Sequence, residues 1–319
     1  MNAEKRILVV GSINMDLVAE VTRPPVMGET VLANALHHLP GGKGANQAVA
    51  AARLGARVVF LGAVGSDPFA APLIENLKTA GVATHRIRTV DGPSGIALIT
   101  LARGDNQIIV YPGANHALKP EDVLQAEEEF KTAQVVLLQF EIPLPVVAQA
   151  ARSAKAHGRR VIVNPAPAQA IPTEWFTYID VLTPNREELA TLSGMPVERP
   201  SDVVQAMRKL KAQGTRAIVT TLGEAGVAYL NADGEARFVP AYDVPVVDTT
   251  GAGDAFNGAL AVALAEGRSL DASIAFANRV AALKVTRMGA QAGMPRREEV
   301  DGNFAWRTRR PAEDGSGSE

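Results

Sequence analysis

The apolar positions of this chain fall into two patterns. Short unbroken runs predict buried strands: ILVVGS (7–12), RVVFLGAVG (57–65), QVVLLQF (134–140), RRVIVNP (159–165), IDVLTP (179–184) and TRAIVTTLG (215–223). Between them lie longer stretches with a helical apolar pattern: ANQAVAAARLGA (45–56), residues 68–80, PLPVVAQAARSAKAHG (143–158), NREELATLSG (185–194) and residues 201–214. Gly55, Gly81 and Gly158 stand where helices stop. From Glu121 onward the alternation is regular. Near-continuous apolar strands alternating with helices predict an α/β fold, with a central, mostly parallel sheet covered by helices on both faces.

Two segments break the rhythm. Residues 94–115, SGIALITLARGDNQIIVYPGAN, are two β-rich runs around Gly104-Asp105, which is a hairpin signal. Residues 17–42 are strand-like but interrupted by polar positions. Together they predict a small β lid, discontinuous in sequence, from about 14–42 and 90–115, on a single domain spanning 1–306. Two edge hairpins are the plainer alternative. The polar tail 307–319, ending DGSGSE, is expected to be disordered.

Composition narrows the chemistry. Of the 319 residues 47% are hydrophobic and 21% charged, as in an ordinary globular chain. The net charge of −2 favours neither nucleic acid nor an anionic membrane surface as partner. There is no cysteine, which fits a reducing, cytoplasmic setting and excludes thiolate metal sites. The N-terminal apolar run soon meets Asn14 and Asp16, so it reads as a first strand and not a signal peptide. The five histidines show no pair at helical metal spacing.

The sharpest motif is DTTGAGDAFNGA, residues 248–259. Gly251 and Gly253 can bare the backbone to a ligand, and a helix start offers free N–H groups and a positive dipole end. An anion-binding turn with a carboxylate, Asp254, inside it is the reading preferred over a simple N-cap. Gly41-Gly42-Lys43-Gly44 precedes another helix. It is not a nucleoside-triphosphate P-loop, because Gly44 replaces the Ser or Thr and the earlier glycine is missing at His37. GSIN after the first strand offers only Gly11 where a dinucleotide site wants G-x-G-x-x-G, which disfavours an NAD-linked dehydrogenase. Asn14 and Asp16 lie just past a strand end, the usual ligand edge of an open α/β sheet, and with Asn46 they suit a sugar's hydroxyls. Asn185 and Glu188 in TPNREE fit a capping box equally well as a ligand site. TTLGEAG (220–226) wraps a nucleotide or makes a tight turn.

These motifs resemble, in order, those of the ribokinase-type sugar kinases. GSINMD, GGKGANQAVAAARLGA, TPNREE, TTLGEAG, DTTGAGDAFNGAL and VTRMGAQAGMP (285–295) carry the resemblance over about residues 5–300. GSIN-x-D, GGKGANQA and Glu141 in LLQFEIP point to the branch that phosphorylates D-ribose at O5. The resemblance implies a three-layer sandwich with a β lid, ATP as phosphoryl donor, Mg²⁺, an activating K⁺ and a homodimer paired through the lid. It assigns ribose to Asn14, Asp16, Gly42, Lys43, Asn46 and Glu141, and catalysis to Asp254 with the N–H groups of Gly251, Ala252 and Gly253. ATP falls to Asn185, Thr221, Leu222, Gly223, Glu224, Ala225, Gly226, Gly253 and Asn278, with Glu188 orienting Mg²⁺ through water. Asp248, Thr250, Lys284, Arg287, Gly289 and Gly293 match a K⁺ loop, although members of the family often carry serine at the position of Gly293. A kinase for 2-deoxyribose or another sugar is the alternative, followed by a non-catalytic sugar or nucleotide sensor.

Overall fold

In a computed structural model of the chain, residues 5–103, 105–302 and 306–309 are described. The strands in chain order are β1 (Arg6–Val10), β2 (Asn14–Glu20), β3 (Ala35–Gly41), β4 (Arg57–Val64), β5 (Val82–Thr89), β6 (Gly95–Ala102) and β7 (Asp105–Tyr111), followed by β8 (Val135–Gln139), β9 (Arg160–Asn164), β10 (Val181–Leu182), β11 (Ala217–Thr221), β12 (Val227–Leu230) and β13 (Ala236–Val239). Nine of them form one sheet in the order β13-β12-β11-β10-β9-β8-β1-β4-β5. From β11 to β5 every pairing is parallel, and only β12 and β13 run antiparallel at one edge.

The unbroken apolar runs have a simple cause. Successive side chains of a strand point to opposite faces, and both faces are covered. Ile7 and Val9 of β1 pack in one core layer, Leu8 and Val10 in the other. Val135 and Leu137 of β8 divide from Val136 and Leu138 in the same way. Polar interruptions mark the strands the rhythm does not announce. β5, VATHRIRT, is a half-exposed edge strand, and β12 and β13 form an edge hairpin beyond the TTLGEAG turn.

β3, β2, β6 and β7 form a second sheet from the two segments that break the alternation. β6 and β7 pair antiparallel from Ile96↔Tyr111 to Ala102↔Asp105; Gly104, in the expected turn, lies outside the described residues. The tail differs from expectation at its start. Residues 307–309 are held against 241–243, with Asp243 N–H donating to Arg307 O and Arg309 N–H to Ala241 O, both at 2.8 Å. Backbone pairing satisfies these polar groups, which a composition rule does not anticipate. Residues 310–319 lie outside the described residues.

One helix crossing positions the site. The Lys43–Arg53 and Ala252–Ala265 helices meet through small residues, and a Cβ on Gly258 would lie 2.7 Å from both the Ala50 Cβ and the Gln47 carbonyl oxygen. Gly258→Ala must therefore push the helices apart. Overpacking of this kind costs about 1–3 kcal/mol. A urea titration should show a lower midpoint with an unchanged slope, and an unchanged midpoint would mean that the crossing is slack.

Candidate active site

The parallel strands end on one rim, and the polar groups gather there. Asp254 is the third residue of its helix, not the N-cap; that place belongs to Gly251, whose φ of 76° is left-handed. Asp254 is 7% exposed. Asn46 Nδ2 donates to its Oδ2 and Gln47 Nε2 to its Oδ1, both at 2.9 Å. Burial raises its pKa above the ordinary carboxylate value, against the opposing pull of Lys43 and of these two hydrogen bonds. The turn before it supplies fewer free donors than the sequence suggests. Ala252 N–H is engaged by Thr249 O at 3.1 Å, which leaves the Gly251 and Gly253 N–H groups without a protein acceptor among the described residues. A Cβ on Gly253 would touch nothing, so its open side faces free space.

The Gly42–Gly44 turn packs on the end of β1. Gly42 has φ 88°, and a Cβ on it would lie 2.8 Å from Asn14 N; one on Gly44 would lie 2.6 Å from Ser12 N. Only glycine allows that approach. It brings Lys43 to Glu141, whose Oε2 accepts from Lys43 N–H (2.9 Å) and from Ser12 Oγ (2.5 Å). Asn14 is buried, its Oδ1 accepting from Asn115 Nδ2 at 2.7 Å. Asp16 lies against Gly41, leaving no room there for a side chain. Burial, with Glu141 and Asp254 nearby, pushes the Asp16 pKa up to about 7. Burial opposes the charge on Lys43, but Asp254, Glu141 and Glu188 together hold its pKa above the usual lysine value. Asn14, Asp16, Lys43, Asn46, Glu141 and Asp254 thus form one polar cluster of three carboxylates and one ammonium.

A second group of expected residues sits at the ends of β10 and β11, where Asn185 and Thr221 bridge in parallel. The TPNREE motif makes a full capping box. Asn185 Oδ1 accepts from Glu188 N–H (2.8 Å), and Glu188 Oε2 accepts from Asn185 N–H (2.9 Å). Burial nonetheless raises the Glu188 pKa, and Lys43 lowers it in turn, so Glu188 also faces the polar cluster. The 221–226 turn closes through Leu222 N–H to Gly226 O (2.8 Å), with Gly226 at φ 93°. Asn278 Nδ2 is spent on Pro240 O at 2.9 Å, which ties the Leu270–Lys284 helix to the segment after β13.

The residues expected to form a K⁺ loop gather around an ammonium. Lys284 is fully buried and ends its helix. Its Nζ donates to Asp248 O (3.0 Å) and Arg287 O (3.2 Å) and lies 3.7 Å from Asp248 Oδ2. Asp248 Oδ1 accepts from Thr250 N–H (2.9 Å) and its Oδ2 from Gly289 N–H (2.7 Å). The Arg287 guanidinium turns away to Glu299. At Gly293 a Cβ would lie 2.7 Å from Gly289 O, so no larger side chain is accommodated there. A free K⁺ does not fit these residues, because an ammonium already takes the carbonyls. Two unit charges about 4 Å apart repel by about 4 kcal/mol at an effective dielectric of 20.

Sequence reasoning misses the residues that hold the others in place. Gln47 Nε2 also reaches Asn164 Oδ1 (3.1 Å), and Gln139 Nε2 donates to Gln47 Oε1 (2.6 Å). Gln291 Nε2 donates to Asn46 Oδ1 (3.0 Å). Asn257 Nδ2 donates to Gly253 O (2.9 Å), and its Oδ1 accepts from Thr183 Oγ1 (2.6 Å). Each is an uncharged polar residue at an otherwise apolar position, and that anomaly is the signal that could have marked it.

The family model of the "pfkB family carbohydrate kinase" matches residues 4–297. A ribokinase of Bacillus subtilis is 43% identical over 298 residues, covering 93% of this chain and 98% of that protein. A deoxyribokinase of Salmonella typhi is 40% identical over 298 residues, with 92% and 97% covered. The structure of Arabidopsis thaliana ribokinase complexed with ribose and ATP superposes with a TM-score of 0.85 at 37% identity, covering 93% of this chain and 97% of that one.

Asp16 gives the site a pH signature. Its raised pKa means that the folded state holds the proton more tightly than the unfolded chain. This contribution is complete below the unfolded value and is lost as pH rises through about 7. Asp16→Asn removes a charge that burial opposes. The variant should melt a few degrees above wild type at pH 8, with the gap closing toward pH 4. A variant no more stable at pH 8 would contradict the shift.

Proposed function

The chain belongs to the pfkB family of carbohydrate kinases, and from that premise we propose that it transfers the γ-phosphoryl group of ATP to O5 of D-ribose, giving D-ribose 5-phosphate and ADP. The observation that carries the reading is the buried Asp254 carboxylate, held by two neutral amides beside a turn with two unengaged N–H groups. A base needs a proton acceptor that is not already neutralised. Asn46 and Gln47 position Asp254 without adding a positive charge in direct contact.

The steps follow from the residues. Asn14, Asp16, Asn46 and Glu141 accept and donate to the sugar hydroxyls, and Gly42 and Lys43 close the turn over them. Such a site rejects analogues that leave its buried polar groups unpaired. Asn185, the 221–226 turn and Asn278 form the nucleotide side. Asp254 takes the proton of the 5-hydroxyl as that oxygen attacks the γ-phosphorus, and the bond to the β-phosphate oxygen breaks. The Gly251 and Gly253 N–H groups, at the positive end of the Ala252–Ala265 helix, meet the charge on the transferring group. Lys43 adds a positive charge near Asp254, Glu141 and Glu188. Glu188 fits a magnesium role: it is a half-buried carboxylate at the rim, and Mg²⁺ in such sites keeps most of its waters and is held largely by substrate phosphates. Bound there, the ion would neutralise phosphate charge.

The lid sheet closes the sugar side and excludes water as a competing acceptor. β7 is exposed along its whole length, with Ile109 at 69% and Ile108 at 52%. A bare apolar edge strand of this kind invites pairing with another chain, and a homodimer through the lid covers it. The double variant Ile108→Lys/Ile109→Lys should sediment as a monomer where the wild type sediments as a dimer. A monomeric wild type would remove this part of the reading.

A second sugar deserves testing because a deoxyribokinase shares 40% identity with the chain. With purified protein and Mg-ATP, ribose should give ribose 5-phosphate at the highest kcat/KM in a panel of pentoses and ketohexoses; preference for 2-deoxyribose would transfer the assignment to that sugar. Asp254→Asn should lower kcat by about 10²-fold or more while ribose still binds. The wild-type rate should fall on the acid side, because the raised pKa of Asp254 lets protonation remove the base at a higher pH than for an ordinary aspartate. A variant that keeps most of its turnover would exclude Asp254 as the base.

A further inference from the structure

We infer that the Lys284 ammonium is a built-in cation that positions the catalytic turn, so that this kinase works without a free monovalent cation. Lys284 is a positioning residue. It is the last residue of the Leu270–Lys284 helix, where a positive charge meets the negative end of the helix dipole. Its alkyl chain is fully buried, and its Nζ bridges two backbone carbonyls, Asp248 O and Arg287 O. Those carbonyls belong to two different loops. One leads through Thr250 directly to Gly251 and Asp254; the other contains Gly289, whose N–H donates to Asp248 Oδ2. Further ties run beside it, since Val247 N–H and Asp248 N–H both donate to Val285 O, at 2.7 and 3.1 Å. A Cβ on Gly251 would lie 3.2 Å from the Ala290 Cβ, so the turn rests directly on the second loop.

Two features of this chain occur together here. A lysine brings its own charge into the carbonyl cluster, and Gly293 offers no hydroxyl. The carbonyls of Arg287, Met288 and Gly289 all lie within 3.2 Å of the point where a Gly293 Cβ would stand. A serine would crowd them, and an ammonium already draws on one of them. A missing side-chain ligand beside a fixed ammonium is the combination expected where the ammonium stands in for a free ion.

The inference uses the phosphoryl-transfer reading only for its rate measurement. Rates are compared at constant ionic strength in potassium chloride and in tetramethylammonium chloride, and melting temperatures are taken in both salts without substrate. Wild type should turn over ribose equally in the two salts, within about twofold, and melt at the same temperature in both. Lys284→Ala opens a pocket lined by carbonyls. In tetramethylammonium its kcat should fall about 10- to 100-fold with little change in ribose KM, as a small misplacement of reacting groups does. Potassium should restore most of that loss saturably and raise the melting temperature of this variant alone. Lys284→Met fills the pocket without a charge and should be slow in both salts. Severalfold activation of the wild type by potassium would overturn the inference, as would a folded Lys284→Ala with no potassium response in rate or melting. If Lys284→Ala does not fold, the wild-type salt comparison and Lys284→Met decide. A wild type without kinase activity in any salt would overturn the ribose reading instead, while the melting temperatures still test the cation.

Discussion

One constraint organises this molecule: a carboxylate must be buried, stay chargeable and point at a fixed place. Asp254 meets it by accepting from two neutral amides, Asn46 and Gln47. An arginine or lysine in direct contact would hold the carboxylate ionised and make it a poor proton acceptor. Amides orient it without that effect, and Lys43 contributes only through space. The amides come from the neighbouring helix, so the arrangement exists only while the two helices touch. The crossing at Gly258 is therefore a condition of the chemistry as well as of packing.

The amides are themselves held. Asn46 accepts from Gln291, which in turn accepts from Asn76 Nδ2 at 2.5 Å. Gln47 is braced by Gln139 from the end of β8 and by Asn164 from the end of β9. Asn164 Nδ2 reaches on to Thr183 O at 3.1 Å, and Asn257 returns to Gly253. The chain of amides ties the Lys43–Arg53 and Ala252–Ala265 helices to the ends of β8 and β9 along the rim of the sheet. Amides suit such a network because each carries both a donor and an acceptor. Its members keep one another in register, which is how a site gains preorganised groups without rearrangement during reaction.

The same rim carries the molecule's main electrostatic tension. Asp16, Glu141 and Asp254 share a partly desolvated space with a single ammonium, Lys43. Glu141 is relieved by Ser12 Oγ and Lys43 N–H. Among the described residues no donor hydrogen-bonds the Asp16 carboxylate, and burial beside Glu141 and Asp254 raises its proton affinity. Hydroxyl donors are the chemical complement of such a set of acceptors. At the far side of the Gly251 turn the balance is reversed. There Lys284 faces Asp248, with two backbone N–H groups and two carbonyls completing the set.

How much of this was legible depends on the range of the interaction. The strand runs and helix periods were readable because burial on both sheet faces selects apolar residues locally, as in ILVV of β1. Asn185 and Glu188 were readable as a capping box because its partners are three residues apart. The glycine turns before Asp254 and after Gly41 were readable because left-handed backbone selects glycine. The edge strands β5 and β13 were not, since their half-exposed sequences lack a distinct period, nor was β12, whose buried run is only four residues long. Nor were Gln47, Asn164, Asn257 and Gln291 as supports, because their side-chain partners lie scores to hundreds of residues away along the chain. In sequence Ala252 reads as a free donor, and only the closed turn shows its N–H turned to Thr249. Lys284 is the plainest case. As a residue type it could have bordered a cation site or filled one. The sequence by itself determined that a lysine stands beside the 285–293 segment. Only the tertiary structure, by burying its stem and converging the Asp248 and Arg287 carbonyls on its nitrogen, decided that the lysine's own ammonium joins the two loops.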